Sequence, residues 1–111
     1  MALFNILEAK TACPVCGHVG VFRVQFKYGF TRQLFYALGE SLKWSGSRND
    51  IGAPGARKVL VEAISESPCP NCGETFLDFD ILVESDRLTS VKPVGRNRPH
   101  STPEGFVVVE H

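Results

Sequence analysis

Cys13-Pro14-Val15-Cys16-Gly17 and Cys69-Pro70-Asn71-Cys72-Gly73 repeat one Cys-Pro-x-Cys-Gly pattern and contain all four cysteines of the chain. We term these segments knuckle 1 (residues 13–17) and knuckle 2 (residues 69–73). In each knuckle the proline presets a turn. The glycine allows the positive φ that directs backbone N–H groups toward the first thiolate. Four thiolates suit a closed tetrahedral site, for which zinc is the usual metal. The sequence therefore predicts one structural zinc site with the ligands Cys13, Cys16, Cys69 and Cys72.

Other uses of four cysteines fit the sequence less well. Disulfides need an oxidising compartment, and residues 1–10 lack the basic and then apolar pattern of a secretory signal peptide. A redox Cys-x-x-Cys motif normally lies at the start of a helix, whereas residues 19–28 and 76–84, which follow the knuckles, have the pattern of strands. We therefore expect a reduced, cytoplasmic protein that binds one metal ion. Iron is the alternative metal, and thiol redox chemistry is a lesser alternative.

Length and charge set further bounds on the protein. A chain of 111 residues is long enough for one modest core. We therefore predict a single domain, 1–111, with a long insert, 17–68, between the knuckles. Its 12 basic and 12 acidic side chains balance, so no overall field attracts nucleic acid or an anionic membrane. No apolar run approaches the roughly 20 residues of a membrane span.

Alternation of apolar and polar residues dominates the rest of the sequence, a pattern typical of strands with one buried face. It is clearest where Phe22, Val24 and Phe26 alternate with polar neighbours. Further strands are predicted over residues 58–64, 76–84, 87–91 and 106–109, with loops over residues 45–56 and 92–104. The predicted fold is mainly β, an antiparallel sheet of six or seven short strands. Its two knuckles bring the N-terminal and central segments together.

Residues 31–44 carry two competing patterns. Leu34, Tyr36 and Leu38 alternate like a strand, whereas Leu34, Leu38 and Leu42 repeat every four residues like a helix. Gly39 favours a hairpin turn, since a glycine weakens the middle of a helix by roughly 1 kcal/mol. We therefore predict a hairpin, with a short helix as the alternative.

The two Cys-Pro-x-Cys-Gly segments resemble the knuckles of zinc-ribbon and rubredoxin-like proteins. The wider sequence, with Phe-Lys-Tyr-Gly at residues 26–29 and Asn-Asp-Ile-Gly at residues 49–52, is similar to small uncharacterised bacterial zinc-ribbon proteins. This resemblance implies a bound zinc ion or, as in rubredoxins, iron, and it implies no activity. Because the insert between the knuckles is long, the metal is expected to act as a staple that closes a long loop.

No catalytic motif is visible in the sequence. His18 lies close to knuckle 1, but four thiolates already saturate zinc, so it is expected to face solvent or to lie behind the ligands. Asp78, Asp80 and Glu84 have the spacing of one solvated strand face. We therefore predict that the protein is not an enzyme and that it acts by binding a macromolecule.

Another protein is the predicted partner, because the aromatic residues near the central turn exceed the needs of one small core. The candidate contact residues are Phe30, Phe35, Tyr36 and Trp44. Nucleic acid is the alternative partner. Its candidate contacts are Arg96 and Arg98 in the proline-rich segment, and a stripe of Arg23, Lys27 and Arg32 with Tyr28 or Phe30 for base stacking. The neutral total charge argues against this alternative.

Overall fold

The computed structural model describes residues 4–95 and 104–111, which form seven β-strands and no helix. This part of the chain therefore has no helix that could cross a bilayer. The strands are β1 (Asn5–Ala12), β2 (Val19–Phe26), β3 (Phe35–Ala37), β4 (Lys58–Ser65), β5 (Asp78–Glu84), β6 (Arg87–Gly95) and β7 (Phe106–Glu110). The prediction of a mainly β fold is confirmed.

All seven strands belong to one sheet, in which six follow the order β3-β1-β2-β4-β5-β6 and β7 lies off this row. Strand β7 pairs with the first residues of β4, while β2 pairs with the last residues of β4. The neighbours are antiparallel except for β3 and β1, which run parallel, so the sheet is mixed and not wholly antiparallel as predicted.

The sheet curls until its two ends meet. After β3, the Gly39 backbone N–H donates to the Leu88 carbonyl at 2.7 Å, and the Leu88 N–H donates to the Glu40 carbonyl at 3.0 Å. The Leu42 N–H then donates to the Asp86 carbonyl at 2.7 Å. Residues 39–42 thereby join the β3 end of the sheet to the start of β6.

The core lies inside this curl and follows the predicted alternation. Phe22, Val24 and Phe26 of β2 are all buried, and the Phe22 ring centroid lies 5.7 Å from that of Phe79 on β5. Tyr28, which follows β2, has no exposed surface, and its hydroxyl donates to the Ala53 carbonyl at 3.2 Å. The period-two pattern therefore identifies the buried face of β2 correctly.

Strand β1 was missing from the sequence prediction. It pairs with β2 along its whole length, from Asn5 opposite Phe26 to Ala12 opposite Val19. The apolar alternation fails at its start because Asn5 and Ile6 are both buried, and asparagine is depleted in strands. Because Asn5 is polar although it is buried, the sequence pattern did not indicate this strand.

The prediction of a hairpin over residues 31–44 is wrong, and so is the short helix. Gly39 does lie in a turn, with φ of 93° and the Glu40 N–H donating to the Ala37 carbonyl at 3.2 Å. The two sides of this turn pair with other strands, because Phe35–Ala37 pairs with β1 and Ser41 forms a bridge with Arg87. The segment before the turn pairs at one end of the curled sheet, and the segment after it pairs at the other end. The outer strands at both ends offer unpaired backbone groups.

The predicted loop over residues 92–104 begins too early. Strand β6 continues to Gly95 and includes Pro93, which lies opposite Phe79. Proline is tolerated there because β6 ends the strand order, so its missing N–H can face away from β5. The loop over residues 45–56 is confirmed apart from an isolated bridge between Ile51 and Gly29.

Gly52 in this loop is expected to be intolerant of any side chain. Its φ is 125°, and a Cβ atom at this position would overlap the buried ring of Tyr28. Replacing Gly52 by alanine should destabilise the fold by about 3 kcal/mol, which lowers the midpoint of thermal unfolding by roughly 15 °C.

The matched control is Gly55→Ala, since Gly55 also has a positive φ, 78°, but would place its Cβ in open space. This control measures the backbone strain alone, about 1 kcal/mol. Equal melting temperatures for the two variants would contradict the close contact with Tyr28.

Candidate metal centre

The sheet brings the two knuckles to one end of the molecule. Knuckle 1 is the loop of the β1–β2 hairpin, and knuckle 2 lies between β4 and β5. Because β2 and β4 are antiparallel, the start of β2 and the end of β4 lie at the same end of the sheet. The Glu66 N–H donates to the Arg23 carbonyl at 2.8 Å and continues this pairing toward knuckle 2.

Both knuckles have the same backbone conformation. The Gly17 N–H donates to the Cys13 carbonyl at 2.9 Å, and the Gly73 N–H donates to the Cys69 carbonyl at 2.9 Å. The two glycines have φ values of 79° and 76°, in the left-handed region that glycine adopts without strain. The predicted role of these glycines is confirmed.

The four cysteine sulfur atoms lie within 4.8 Å of one another. The Cys13 and Cys72 Sγ atoms are 3.8 Å apart, as are those of Cys16 and Cys69, and none of the four is in a disulfide. A tetrahedral ion with metal–sulfur bonds of about 2.3 Å needs sulfur atoms about 3.8 Å apart. The cluster therefore fits a tetrahedral metal ion.

Hydrogen bonds stabilise negative charge on part of the cluster. The Asn71 side-chain amide donates to the Cys16 Sγ at 3.4 Å and, with the His18 backbone N–H, lowers the pKa of Cys16 to about 6. The Cys72 backbone N–H lowers the pKa of Cys69 in the same way. These donors favour the thiolate form that metal binding requires.

The Cys72 thiol shows the opposite shift in pKa. The Glu74 backbone N–H lowers the pKa of Cys72, but desolvation and the three neighbouring sulfur atoms raise it more, to about 12. Four thiolates this close repel one another, so all of them can be charged together only around a cation. The electrostatics of the cluster thus favour a bound metal cation.

Comparison of the sequence with known protein families, with curated proteins and with solved structures finds no match. The resemblance to zinc-ribbon knuckles therefore rests on the two cysteine segments and on the geometry described above.

The His18 side chain is not part of the group that could hold the metal ion. Its carbonyl accepts a hydrogen bond from the Cys13 N–H at 2.8 Å, and its ring lies beside Gly20. Within residues 4–95 and 104–111, the group of side chains able to hold a metal ion consists of the four cysteines. His18 thus supports knuckle 1 through its backbone.

In the predicted aromatic contact surface, the structure buries Tyr36 and leaves Trp44 half-buried. Tyr36 is only 4 % exposed, and its hydroxyl accepts a hydrogen bond from the Lys43 N–H at 3.1 Å. Trp44 packs against the core with its ring centroid 5.4 Å from that of Tyr28. Phe30 is half-buried, with the Arg32 guanidinium 5.1 Å from its ring centroid. Phe35, at 66 % exposed, is the most exposed member of the group.

The predicted nucleic-acid stripe is also reduced. The Arg23 Nε atom forms an ion pair with Glu8 at 2.9 Å, and Tyr28 is fully buried and cannot stack on a base. Arg96 and Arg98 lie outside the described residues. Lys27 and Arg32 are exposed, and the Arg32 guanidinium lies over the half-buried Phe30 ring.

Sequence reasoning missed one residue of the site, Asn71. Its side chain crosses from knuckle 2 to the Cys16 sulfur of knuckle 1. The signal in the sequence was the third position of the motif, which is valine in knuckle 1 and asparagine in knuckle 2.

Proposed function

We propose that Cys13, Cys16, Cys69 and Cys72 hold one zinc ion with a structural role. The observation that carries this proposal is the 3.8 Å separation of the Cys13 and Cys72 sulfur atoms, and of the Cys16 and Cys69 sulfur atoms, each pair spanning the two knuckles. Four thiolates fill every position of a tetrahedral ion, so water and substrate have no access to the metal. Iron fits the same donors and is distinguished by experiment.

The bound ion would act as a staple between two parts of the sheet. Knuckle 1 belongs to the β1–β2 hairpin and knuckle 2 to the β4–β5 connection, and the shared ion ties these loops together. A link between distant chain segments lowers the entropy of the unfolded chain more than that of the folded protein. The metal would thus stabilise the scaffold without carrying out a reaction.

Metal analysis of protein purified without added metal tests the first proposal. We expect one zinc ion per chain, and replacement by Co²⁺ should give the absorption spectrum of a tetrahedral thiolate site. One iron ion per chain would overturn the zinc assignment. A folded protein without metal and with oxidised cysteines would overturn the metal site itself.

We further propose that the protein works as a binding module for another protein. This rests on the apolar side chains that the outer surface leaves exposed, such as Phe35 on β3 and Val19 and Val21 on β2. Exposed large apolar side chains, aromatic rings above all, are typical of protein contact sites. Phe35 is the candidate within the predicted aromatic group because an exposed phenylalanine ring gains much from burial; Phe76, 71 % exposed, is a second exposed ring outside that group.

The partner proposal predicts a specific loss on replacing Phe35 by alanine. Quantitative affinity capture with the immobilised protein should retain a partner, and Phe35→Ala should reduce the retained amount at least about fivefold, with the thermal midpoint unchanged. Arg48→Ala, at an exposed loop position, is the matched control and should retain the partner fully. Equal retention by all three proteins would exclude Phe35 from the contact, and capture of nucleic acid alone would favour the alternative partner.

A further inference from the structure

Matched sulfur separations and burial relate the two knuckles by an approximate two-fold symmetry about the centre of the sulfur cluster. The Cys13–Cys72 sulfur pair corresponds to the Cys69–Cys16 pair, and both separations are 3.8 Å. The first cysteine of each knuckle is buried, at 2 % exposed, and the second is exposed. Reagents in solution therefore meet two of the four ligands, Cys16 and Cys72.

The backbone hydrogen bonds obey the same symmetry. The Val15 N–H donates to the Cys13 sulfur at 3.4 Å, and the Asn71 N–H donates to the Cys69 sulfur at 3.4 Å. The exposed ligands are matched too, since Cys16 receives the His18 N–H and Cys72 receives the Glu74 N–H. By backbone alone, the two exposed sulfur atoms are equivalent.

One side chain breaks this symmetry. The Asn71 amide donates across the site to the Cys16 sulfur at 3.4 Å, while Val15, at the equivalent position of knuckle 1, has no group to donate to Cys72. Cys16 therefore has one N–H donor more than Cys72. A hydrogen bond to a thiolate occupies a lone pair and stabilises its charge, which makes that sulfur a weaker nucleophile.

We propose that Cys72 is the ligand at which the metal site opens to soft electrophiles, and that Asn71 is a positioning residue that protects Cys16. The proposal rests on the metal site under Proposed function. Attack at Cys72 removes one of four ligands and leaves the ion with an open position. The difference in hydrogen bonding thus determines which exposed ligand reacts first.

Alkylation of the zinc-loaded protein by iodoacetamide tests the order. The thiolate sulfur attacks the CH₂ carbon, a carbon–sulfur bond forms, the carbon–iodine bond breaks and iodide leaves, so the sulfur becomes a weakly binding thioether. Peptide mapping by mass spectrometry at early times should show Cys72 modified about fivefold faster than Cys16, the factor expected for one hydrogen bond.

Two variants change which of the exposed sulfur atoms receives a side-chain hydrogen bond. In Asn71→Val, which copies the third residue of knuckle 1, the rate at Cys16 should rise about fivefold to that of Cys72. In Val15→Asn, the new amide should reach Cys72 by the two-fold symmetry and slow its alkylation about fivefold. Because each variant places a residue already present in the other knuckle, both are expected to fold and to bind the metal.

The metal content, measured on the same samples, separates the two proposals. A chain that carries no metal overturns the proposed site, whatever the order of alkylation. A chain with one metal ion that is alkylated first at Cys16, or equally at both sulfur atoms, overturns the protective role of Asn71 and leaves the metal site intact. Unchanged alkylation rates in both variants would also overturn the protective role of Asn71.

Discussion

A strong chelator is expected to lower the midpoint of thermal unfolding by roughly 15 °C or more, which corresponds to a loss of at least about 3 kcal/mol. The proposed metal ion would stabilise the folded state because the unfolded chain does not hold four thiolates within 4.8 Å of one another. Removal of the ion also leaves the knuckles with sulfur atoms that repel one another when charged. Differential scanning calorimetry with and without the chelator measures the shift.

The matched variant is Cys13→Ser, which removes a buried ligand while keeping a side chain of similar size. It should melt at about the temperature of the chelated protein, and the chelator should have little further effect on it, because both changes remove the same interaction. A midpoint that stays the same after complete removal of the ion would show that the sheet holds the knuckles without the metal.

Replacement of Asn5 by alanine is expected to destabilise the protein by about 3 kcal/mol or more. Asn5 has no exposed surface, and its amide donates to the Tyr28 and Phe30 carbonyls, both at 3.2 Å. Its side-chain oxygen accepts the Arg32 N–H at 3.3 Å and the Leu34 N–H at 3.1 Å. Alanine would leave four backbone groups without these partners, and each buried unpaired group costs about 1–3 kcal/mol. Urea unfolding measures the difference.

Two further variants test this role of Asn5. Asn5→Asp keeps the acceptor but loses the donors and places a carboxylate against two carbonyl groups, so it should destabilise at least as much as alanine. Asn49→Ala, at an exposed loop position, is the control and should change the free energy of unfolding by less than about 0.5 kcal/mol. A similarly small effect at Asn5 would mean that water replaces its four bonds.

The parts of the fold that could be predicted are those encoded locally. Each knuckle is a turn of five residues whose proline and glycine set its shape, and Phe22, Val24 and Phe26 alternate because one face of β2 is buried. The clustering of the four cysteines was also predictable, since two copies of one metal-binding motif indicate one shared site.

The parts that failed depend on contacts between distant segments. Asn5 looks like a poor strand residue until its four partners in residues 28–34 are known, and the turn at Gly39 gave no sign that its two sides pair with different strands. The bond from Asn71 to Cys16 exists only because the antiparallel pairing of β2 and β4 places one knuckle against the other. Sequence patterns show which residues can pair but not which partners lie within reach.

The bridge formed by residues 39–42 has a consequence for self-association. The end of a sheet normally presents unpaired backbone groups to which a strand from a second molecule can add. At the start of β6, Leu88 already exchanges hydrogen bonds with Gly39 and Glu40, and the Asp86 carbonyl is taken by Leu42. A foreign strand would first have to displace this internal segment, so the curl protects the start of β6 against fibril-like growth.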